Sequence, residues 1–461
     1  MSSVVNVRMD SSLAPPAIPR RAAVQAGHEG LLFAFSAFLF QIGLGLVTFE
    51  QVRPLFGIQV SDYCFLMSLL ALVPEFRSRL REVKHSGVLL SGTLILSGAL
   101  LSLLNSTNFS DAVDPLARLF VLFGLFAPLA LIHSKHLREN MLFLIGGIAA
   151  NSAIALLQAW IFPGIVDALS INPIRPDMSE VLVNVRFQGL TSHPNILGLS
   201  AALATLIAAG LLSFKENTHI RGRLIFVISI CTIAALLSGS RTFFASLVPG
   251  LAVLAFLEKW HGRAAWRTVG AFCLLSGAIV LLVPGTVQHF FERLDGGSDY
   301  NSDYGRWWAA VDTLNEISQK PIIGWGLDHF NEAGLTLVPG TGEIDGVHNS
   351  FLKYWHGMGA TAAVGFLMLF AVPVRRTLQT LKKKTSGNSM GTLNLAVACL
   401  VLLFVVSNLH PVDYNRFLYV PLFLLAGFAA RFPVPMERTR AAKHATNLLQ
   451  LPRKRKAHCE A

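Results

Sequence analysis

Charge is scarce in this chain. Only 14% of its 461 side chains are Asp, Glu, Lys or Arg, against about 25% in a soluble domain. So few charges leave little with which to cover a water-facing surface. Cysteine is scarce as well: Cys64, Cys231, Cys273, Cys399 and Cys459 are the whole set. No two form a C-x-x-C pair, which supports neither a disulfide framework nor a zinc site. A P-loop, a dinucleotide fingerprint, a Ser-His-Asp order and a cluster of metal ligands are also missing. These absences argue against a soluble nucleotide substrate, a cofactor or a bound metal. No solenoid-length repeat and no inverted halves of the transporter kind are visible.

What the chain has is apolar length. Hydrophobic residues make up 53%, and the mean hydropathy is +0.53. Runs of about 20 apolar residues, enough to cross a bilayer, recur from Leu31 almost to the C-terminus. The expected fold is an all-α integral membrane protein, a bundle of about twelve transmembrane helices. The expected spans are Leu31–Thr48, Leu55–Val73, Gly87–Leu104, Leu116–Ile132, Met141–Phe162, Ile196–Leu212, Leu224–Leu237, Thr242–Leu257, Val269–Val283, Ser350–Val372, Leu393–Ser407 and Phe417–Phe432.

Basic residues set the orientation. Arg77, Arg79, Arg81 and Lys84, then Lys135 and Arg138, then Lys215, Arg221 and Arg223 fall in alternate loops. Lys259, Arg263 and Arg267, then Arg375 to Lys384, and the tail Arg453 to Lys456 continue the same side. By the positive-inside rule both termini are cytoplasmic. The net charge of +11 records this topology rather than a nucleic-acid partner. Five segments follow: a disordered cytoplasmic lead-in (1–29), spans one to nine (30–284), a large periplasmic loop between spans nine and ten (285–347), spans ten to twelve (348–432), and a basic cytoplasmic tail (433–461). Residues 453–456 are expected to lie against anionic membrane lipid.

The polar loop carries ten carboxylates against Arg293, Arg306 and Lys320, a balance a translocated segment tolerates. Within it, Tyr304 to Ile317 reads as an amphipathic helix, with Trp307, Trp308, Val311 and Leu314 on one face. Gly324, Gly326, Pro339, Gly340 and Gly342 make the remainder turn-rich.

Basic residues on the outer side run against the positive-inside bias, so the few that occur carry information. Arg186 begins Arg-Phe-Gln-Gly-Leu-Thr-Ser-His-Pro-Asn, Arg241 closes Ser-Gly-Ser-Arg, and Arg306 follows Gly305 ahead of the tryptophans. Singly, each is an interfacial anchor. Together they are three guanidiniums in Gly/Ser-rich settings, suited to a diphosphate. Ser240 and the backbone amides around each arginine could approach the same anion. His348, at the mouth of the tenth span, has the ring type that titrates near neutrality and suits a general base. The plain alternative is a histidine at a helix start, with Asn349 as the cap. His193 and Asn195 of His-Pro-Asn supply a rival base or mere helix punctuation. Asp62, inside the second span, is costly there and a functional candidate unless it pairs with an arginine. Lys353 and His356 could line the same cavity.

These pieces, in this order, resemble the O-antigen ligase and Wzy-type polysaccharide polymerase superfamily from about Arg186 to Gly365. The resemblance rests on Gly189 to Gly198 with its embedded His-Pro-Asn, Ser238-Gly239-Ser240-Arg241, Gly305-Arg306 with Trp307 and Trp308, Pro321 to Gly326, and His348-Asn349. It implies a bacterial inner-membrane glycosyltransferase facing the periplasm, working without metal or cofactor. The implied donor is an undecaprenyl-diphosphate-linked glycan, and the acceptor a second glycan or lipid A-core. Arg186, Arg241 and Arg306 would hold the diphosphate, His348 would take the acceptor's proton, and Asn349 would orient the ring or the sugar. The run His-Pro-Asn-Ile-Leu-Gly followed by Ser-Gly-Ser-Arg-Thr is more similar to exopolysaccharide polymerases than to lipid A-core ligases. A flippase for lipid-linked sugars is the rival from another class, disfavoured by the one-sided placement of the polar residues.

Overall fold

The computed structural model describes residues 20–54, 58–83, 86–162, 164–170, 187–257, 300–330, 332–333, 335–337, 344–382, 389–410 and 413–432. The first 19 residues, Arg186, the expected ninth span Val269–Val283, the loop start 285–299 and the tail 433–461 lie outside them. Among the described residues the chain is helical apart from a hairpin of two short strands. Five helical stretches are long and apolar enough to cross a membrane: Phe109–Trp160, Pro194–Ser213, Glu216–Leu237, Ser350–Leu381 and Met390–Leu409. A sixth is added if Phe76–Val83 and Val88–Ser102 form one bent span. Gly30–Gly45, Val60–Leu72, Arg241–Leu257 and Arg416–Ala430 are apolar but shorter. The membrane-helix reading is met; five or six spans qualify by length among the described residues, against the twelve expected over the whole chain.

Part of the difference comes from Phe109–Trp160. This stretch comprises α5 (Phe109–Phe120), a π-helical turn (Val121–Phe126), α6 (Ala127–His133), a 3-10 turn (Ser134–His136) and α7 (Leu137–Trp160). The chain reverses at the 3-10 turn, where His136 leaves helical geometry (φ −100°, ψ 44°). Both legs reach the same end of the bundle. Arg118 lies 5.5 Å over the Tyr414 ring, and the Asn151 amide donates to the Thr48 carbonyl at 3.2 Å.

The basic turns gather at the opposite end. Arg431 donates to the Ile132 carbonyl and the Ser134 hydroxyl and pairs with Glu82. Arg138 donates to Asn217, and Arg79 sits 4.4 Å over the Phe33 ring. One polar end and one basic end are what an asymmetric membrane topology requires.

At the centre runs α9 (Pro194–Ser213), buried from Ile196 to Leu211 without a break. A helix apolar on every face packs on every face. It is enclosed by α7, α10 (Arg221–Leu237), α11 (Arg241–Leu257) and α14 (Ser389–Leu409). Elsewhere small residues let helices touch. A Cβ on Gly147 would stand 1.8 Å from the Gly45 carbonyl oxygen of α1 (Arg20–Gly45), and one on Gly98 of α4 (Val88–Ser102) would meet Ala362 at 2.8 Å.

The polar segment before His348 is built on α12 (Tyr300–Gln319) and α13 (Ser350–Leu381). The expected amphipathic helix is present, with a different face inward. Gly305, Ala309, Thr313 and Ile317 are buried, whereas Trp307 is 61% and Leu314 47% exposed. The reason is steric: the small stripe at i, i+4, i+8 allows close approach to its neighbours, and the bulky stripe does not. A short antiparallel pairing of β1 (Thr336–Leu337) with β2 (Ile344–Asp345) then leads into His348.

α13 is interrupted at Gly359, which has φ 74° and ψ −175°. The loop fills the gap. Ala360 N–H donates to the Pro321 and Ile322 carbonyls, and Trp325 N–H donates to the His356 carbonyl at 2.8 Å. The Trp355 indole donates to the Pro321 carbonyl. Backbone groups freed by the interruption thus find partners. Outside the membrane helices, Asp328 pins this loop to the α4–α5 connection. Its Oδ2 accepts from the Thr107 amide (2.7 Å), the Asn108 amide (2.8 Å) and the Thr107 hydroxyl (3.0 Å).

Burial alone would push the Asp328 carboxyl up. The donors from Asn108, Thr107 and Ser106 outweigh it and hold it down to about 2. A depressed carboxylate stabilises the fold fully above its ordinary value of 3.8 and loses that contribution as pH falls through about 2. We expect Asp328→Asn at neutral pH to accelerate amide exchange over residues 321–330, and acid to do the same to the wild type only in that lower window. Unchanged exchange in Asp328→Asn would show that the loop is anchored by other means.

Candidate active site

At the polar end, three loops converge near a group of imidazoles. The first is the stretch leading into α9. Gly189 turns with φ 58° against Asn151, where a Cβ would lie 2.6 Å from Oδ1. Asn151 Oδ1 accepts from the Leu190 amide at 2.7 Å, and the Gln51 amide donates to the Leu190 carbonyl. Glu50, only 2% exposed, accepts from both the amide and the hydroxyl of Ser192. Burial pushes the Glu50 carboxyl up, against the pull of these two donors. The stretch is thereby laid across the ends of α1 and α7, and His193 is delivered to the N-cap of α9.

The cap fixes the tautomer of His193. Its Nδ1 accepts from the Asn195 amide at 3.0 Å, so Nδ1 carries no proton and Nε2 does. A ring in that state has its lone pair committed to the helix. In that state the ring is a hydrogen-bond donor at Nε2.

The second loop is the turn Ser238-Gly239-Ser240-Arg241. Gly239 adopts φ 61° and Arg241 opens α11. Ser240 is buried, and its hydroxyl lies 2.6 Å from that of Thr242. The turn packs on the first turns of α9, since a Cβ on Gly198 would stand 2.4 Å from that of Ser240. The His-Pro-Asn and Ser-Gly-Ser-Arg motifs, 45 residues apart in sequence, are neighbours.

The third element is His348. Its Nδ1 lies 2.8 Å from the Gly346 carbonyl oxygen. A carbonyl only accepts, so Nδ1 carries the proton and Nε2 presents the lone pair. This is the opposite tautomer to His193. Asn349 caps α13, its Oδ1 accepting from the Leu352 amide at 3.1 Å. A small core of Ile317, Ala333, Val347 and Leu352 braces this point and ties it to α12. The same helix carries Arg306 on its second turn and Trp307 on its exposed side.

Near both histidines sits a third that the sequence did not single out. The His410 ring centroid is 5.6 Å from that of His193 and 6.0 Å from that of His348. Its loop is tied down twice. Lys353 Nζ meets Asp413 Oδ2 at 2.7 Å, both side chains under 10% exposed. Arg416 grips Asp62 with two bonds, at 2.9 and 2.7 Å, the fork geometry that favours Arg over Lys. Asp62 therefore has the arginine partner that the sequence left open. His356 is turned elsewhere, with Nε2 2.9 Å from Glu316 Oε2 and its ring stacked on Trp325. The missed residues had a visible signal: His410, Asp413 and Arg416 crowd the short connection between the last two spans. Among the described residues no group of three His, Cys, Asp or Glu side chains is placed to hold a metal ion.

Residues 224–367 match the O-antigen ligase family. The resemblance read from the residues is met over that stretch. No curated protein matches the chain. The O-antigen ligase region runs from α10 into α13, past the interruption at Gly359, and contains Arg241, Arg306, His348 and Asn349. His193 and His410 reach the same site from outside it.

Proposed function

We propose that this protein is a membrane glycosyltransferase that polymerises oligosaccharide repeat units carried on undecaprenyl diphosphate. It works at the periplasmic face of the bacterial inner membrane, in a twelve-span topology with both termini cytoplasmic. The observation that carries the reading is the His348 tautomer. With Nδ1–H held by Gly346, the ring presents Nε2 as the base that an acceptor hydroxyl needs.

As that hydroxyl oxygen attacks the anomeric carbon, its proton passes to His348 Nε2 and the bond from the anomeric carbon to the diphosphate oxygen breaks. The diphosphate leaves with its negative charge. Arg241 and Arg306, with Arg186, meet that charge, since preorganised cations lower such a barrier most where charge develops. Asn349 holds the turn from which His348 projects. The donor arrives already activated on lipid, so neither a nucleotide nor a metal enters.

The second reading is an O-antigen ligase that joins the finished glycan to lipid A-core, which the description of the matched family favours. Cells lacking the protein separate the two on a gel of surface polysaccharide and lipopolysaccharide. Accumulated single repeats, with core glycans still capped, identify the polymerase. Long polymer retained on the lipid carrier, with bare lipid A-core, identifies the ligase and overturns our preference. Normal polymer and normal capping would remove both.

A further inference from the structure

A helix that faces water turns its charges outward. α12 does the reverse, although it lies in a segment rich in carboxylates. Arg306, Asp312, Glu316 and Lys320 are all half-buried. Glu316 pairs with His356, and Lys320 lies 4.1 Å over the Trp325 ring. Between Tyr304 and Ile323 no exposed residue carries a charge. The large exposed ones are Trp307, Leu314 and Ile322, the last of them 73% exposed. Trp307, the half-buried Val311 and Leu314 stand at i, i+4 and i+7, so they form one stripe opposite the small buried face.

The stripe leads to α13. Ile322 accepts from the Ala360 amide at 3.1 Å, which places it at the head of that helix's own exposed stripe. Ala360, Val364, Leu367 and Ala371 follow at i, i+4, i+7 and i+11, and the last three are exposed. α13 is long and apolar enough to cross a membrane, and an exposed apolar face on such a helix is a lipid-facing one. An uncharged apolar track therefore runs from Leu367 over Ile322 to Leu314 and Trp307.

We propose that α12 is seated in the outer-leaflet interface, with Trp307, Val311, Leu314 and Ile322 immersed among lipid headgroups and upper acyl chains. A tryptophan on an interfacial helix belongs at that depth. The seat holds Arg306, next to Trp307, at the height where a lipid-borne diphosphate lies. That consequence rests on the diphosphate reading of Arg306; the seat itself does not.

The test uses the full-length protein in bilayers of phosphatidylethanolamine and phosphatidylglycerol. It is photolabelled with an aryl diazirine that partitions into the membrane, and the labelled residues are located by mass spectrometry, a readout that needs no turnover. We expect label on Trp307, Leu314 and Ile322 as well as on Val364 and Leu367, which report that the probe has reached lipid-facing helix. Leu314→Asp changes an exposed position. It should cut labelling at Trp307 and Ile322 by about fivefold to tenfold, the scale on which one leucine partitions out of water. Val364 and Leu367 should stay labelled, and glycan product should fall in parallel.

Label on Val364 and Leu367 with none on Trp307 and Leu314 overturns the seat and leaves that face to water, to glycan or to a second copy of the chain. Labelling lost in Leu314→Asp with wild-type product overturns the link to Arg306. Arg306→Ala is run alongside: product kept there refutes the diphosphate reading, while the labelling still decides the seat.

Discussion

Replacing His348 with alanine should cut glycan transfer by about two to four orders of magnitude, the usual contribution of a positioned general base. The protein itself should accumulate normally. The turn is held by Val347, Ile317 and Leu352 in its small core and by the Asn349 cap, none of which uses the imidazole. His348→Gln keeps the polarity and much of the volume but offers no comparable base, and should be nearly as inactive. Long-chain product measured in complemented cells, against protein detected in the same membranes, decides the matter. Wild-type product in His348→Ala would refute the mechanism and return attention to a flippase, which needs no base.

The second large effect concerns Gly359 and has nothing to do with chemistry. Its φ of 74° with ψ −175° is a region open essentially to glycine. An added Cβ would also stand 2.0 Å from the Ile322 carbonyl oxygen. Gly359→Ala is therefore expected to cost about 3 kcal/mol or more, combining backbone strain with overpacking against an atom that cannot retreat. The thermal midpoint in detergent should fall well below that of wild type, and little protein should reach the membrane. Gly146→Ala makes the control, because a Cβ there meets nothing within 4 Å. Equal midpoints for the two variants would show that the interruption in α13 tolerates a side chain.

The helices were readable because each is written in one local run of residues. Pro194–Ser213 is apolar over most of its length and differs from its expected bounds by a residue or two. The buried face of Tyr300–Gln319 was not readable, because period tells which residues share a face and not which neighbour awaits them. Trp307 and Leu314 look like core in sequence, yet Gly305 and Ala309 make the contact. In the site, Arg241, Arg306 and His348 stood out because cations and imidazoles are rare among outward loops. His410 did not, because its meaning lies in rings 62 and 217 residues away along the chain. Nor could spacing reveal that His193 and His348 carry opposite tautomers. That depends on whether Nδ1 faces an amide or a carbonyl.

The interrupted helix bears on how such proteins can be cut and recombined. Ala360 and Trp325 each satisfy a backbone group across the gap, so the segment from Pro321 to Trp325 and the middle of α13 share one hydrogen-bond network. Exchanging the loop alone between homologues would leave a transplanted segment with mismatched partners and a bare helix break. The transferable module is loop plus helix, and a graft should carry residues 300–381 as one piece. An epitope tag placed within 321–330 would prise that seam open.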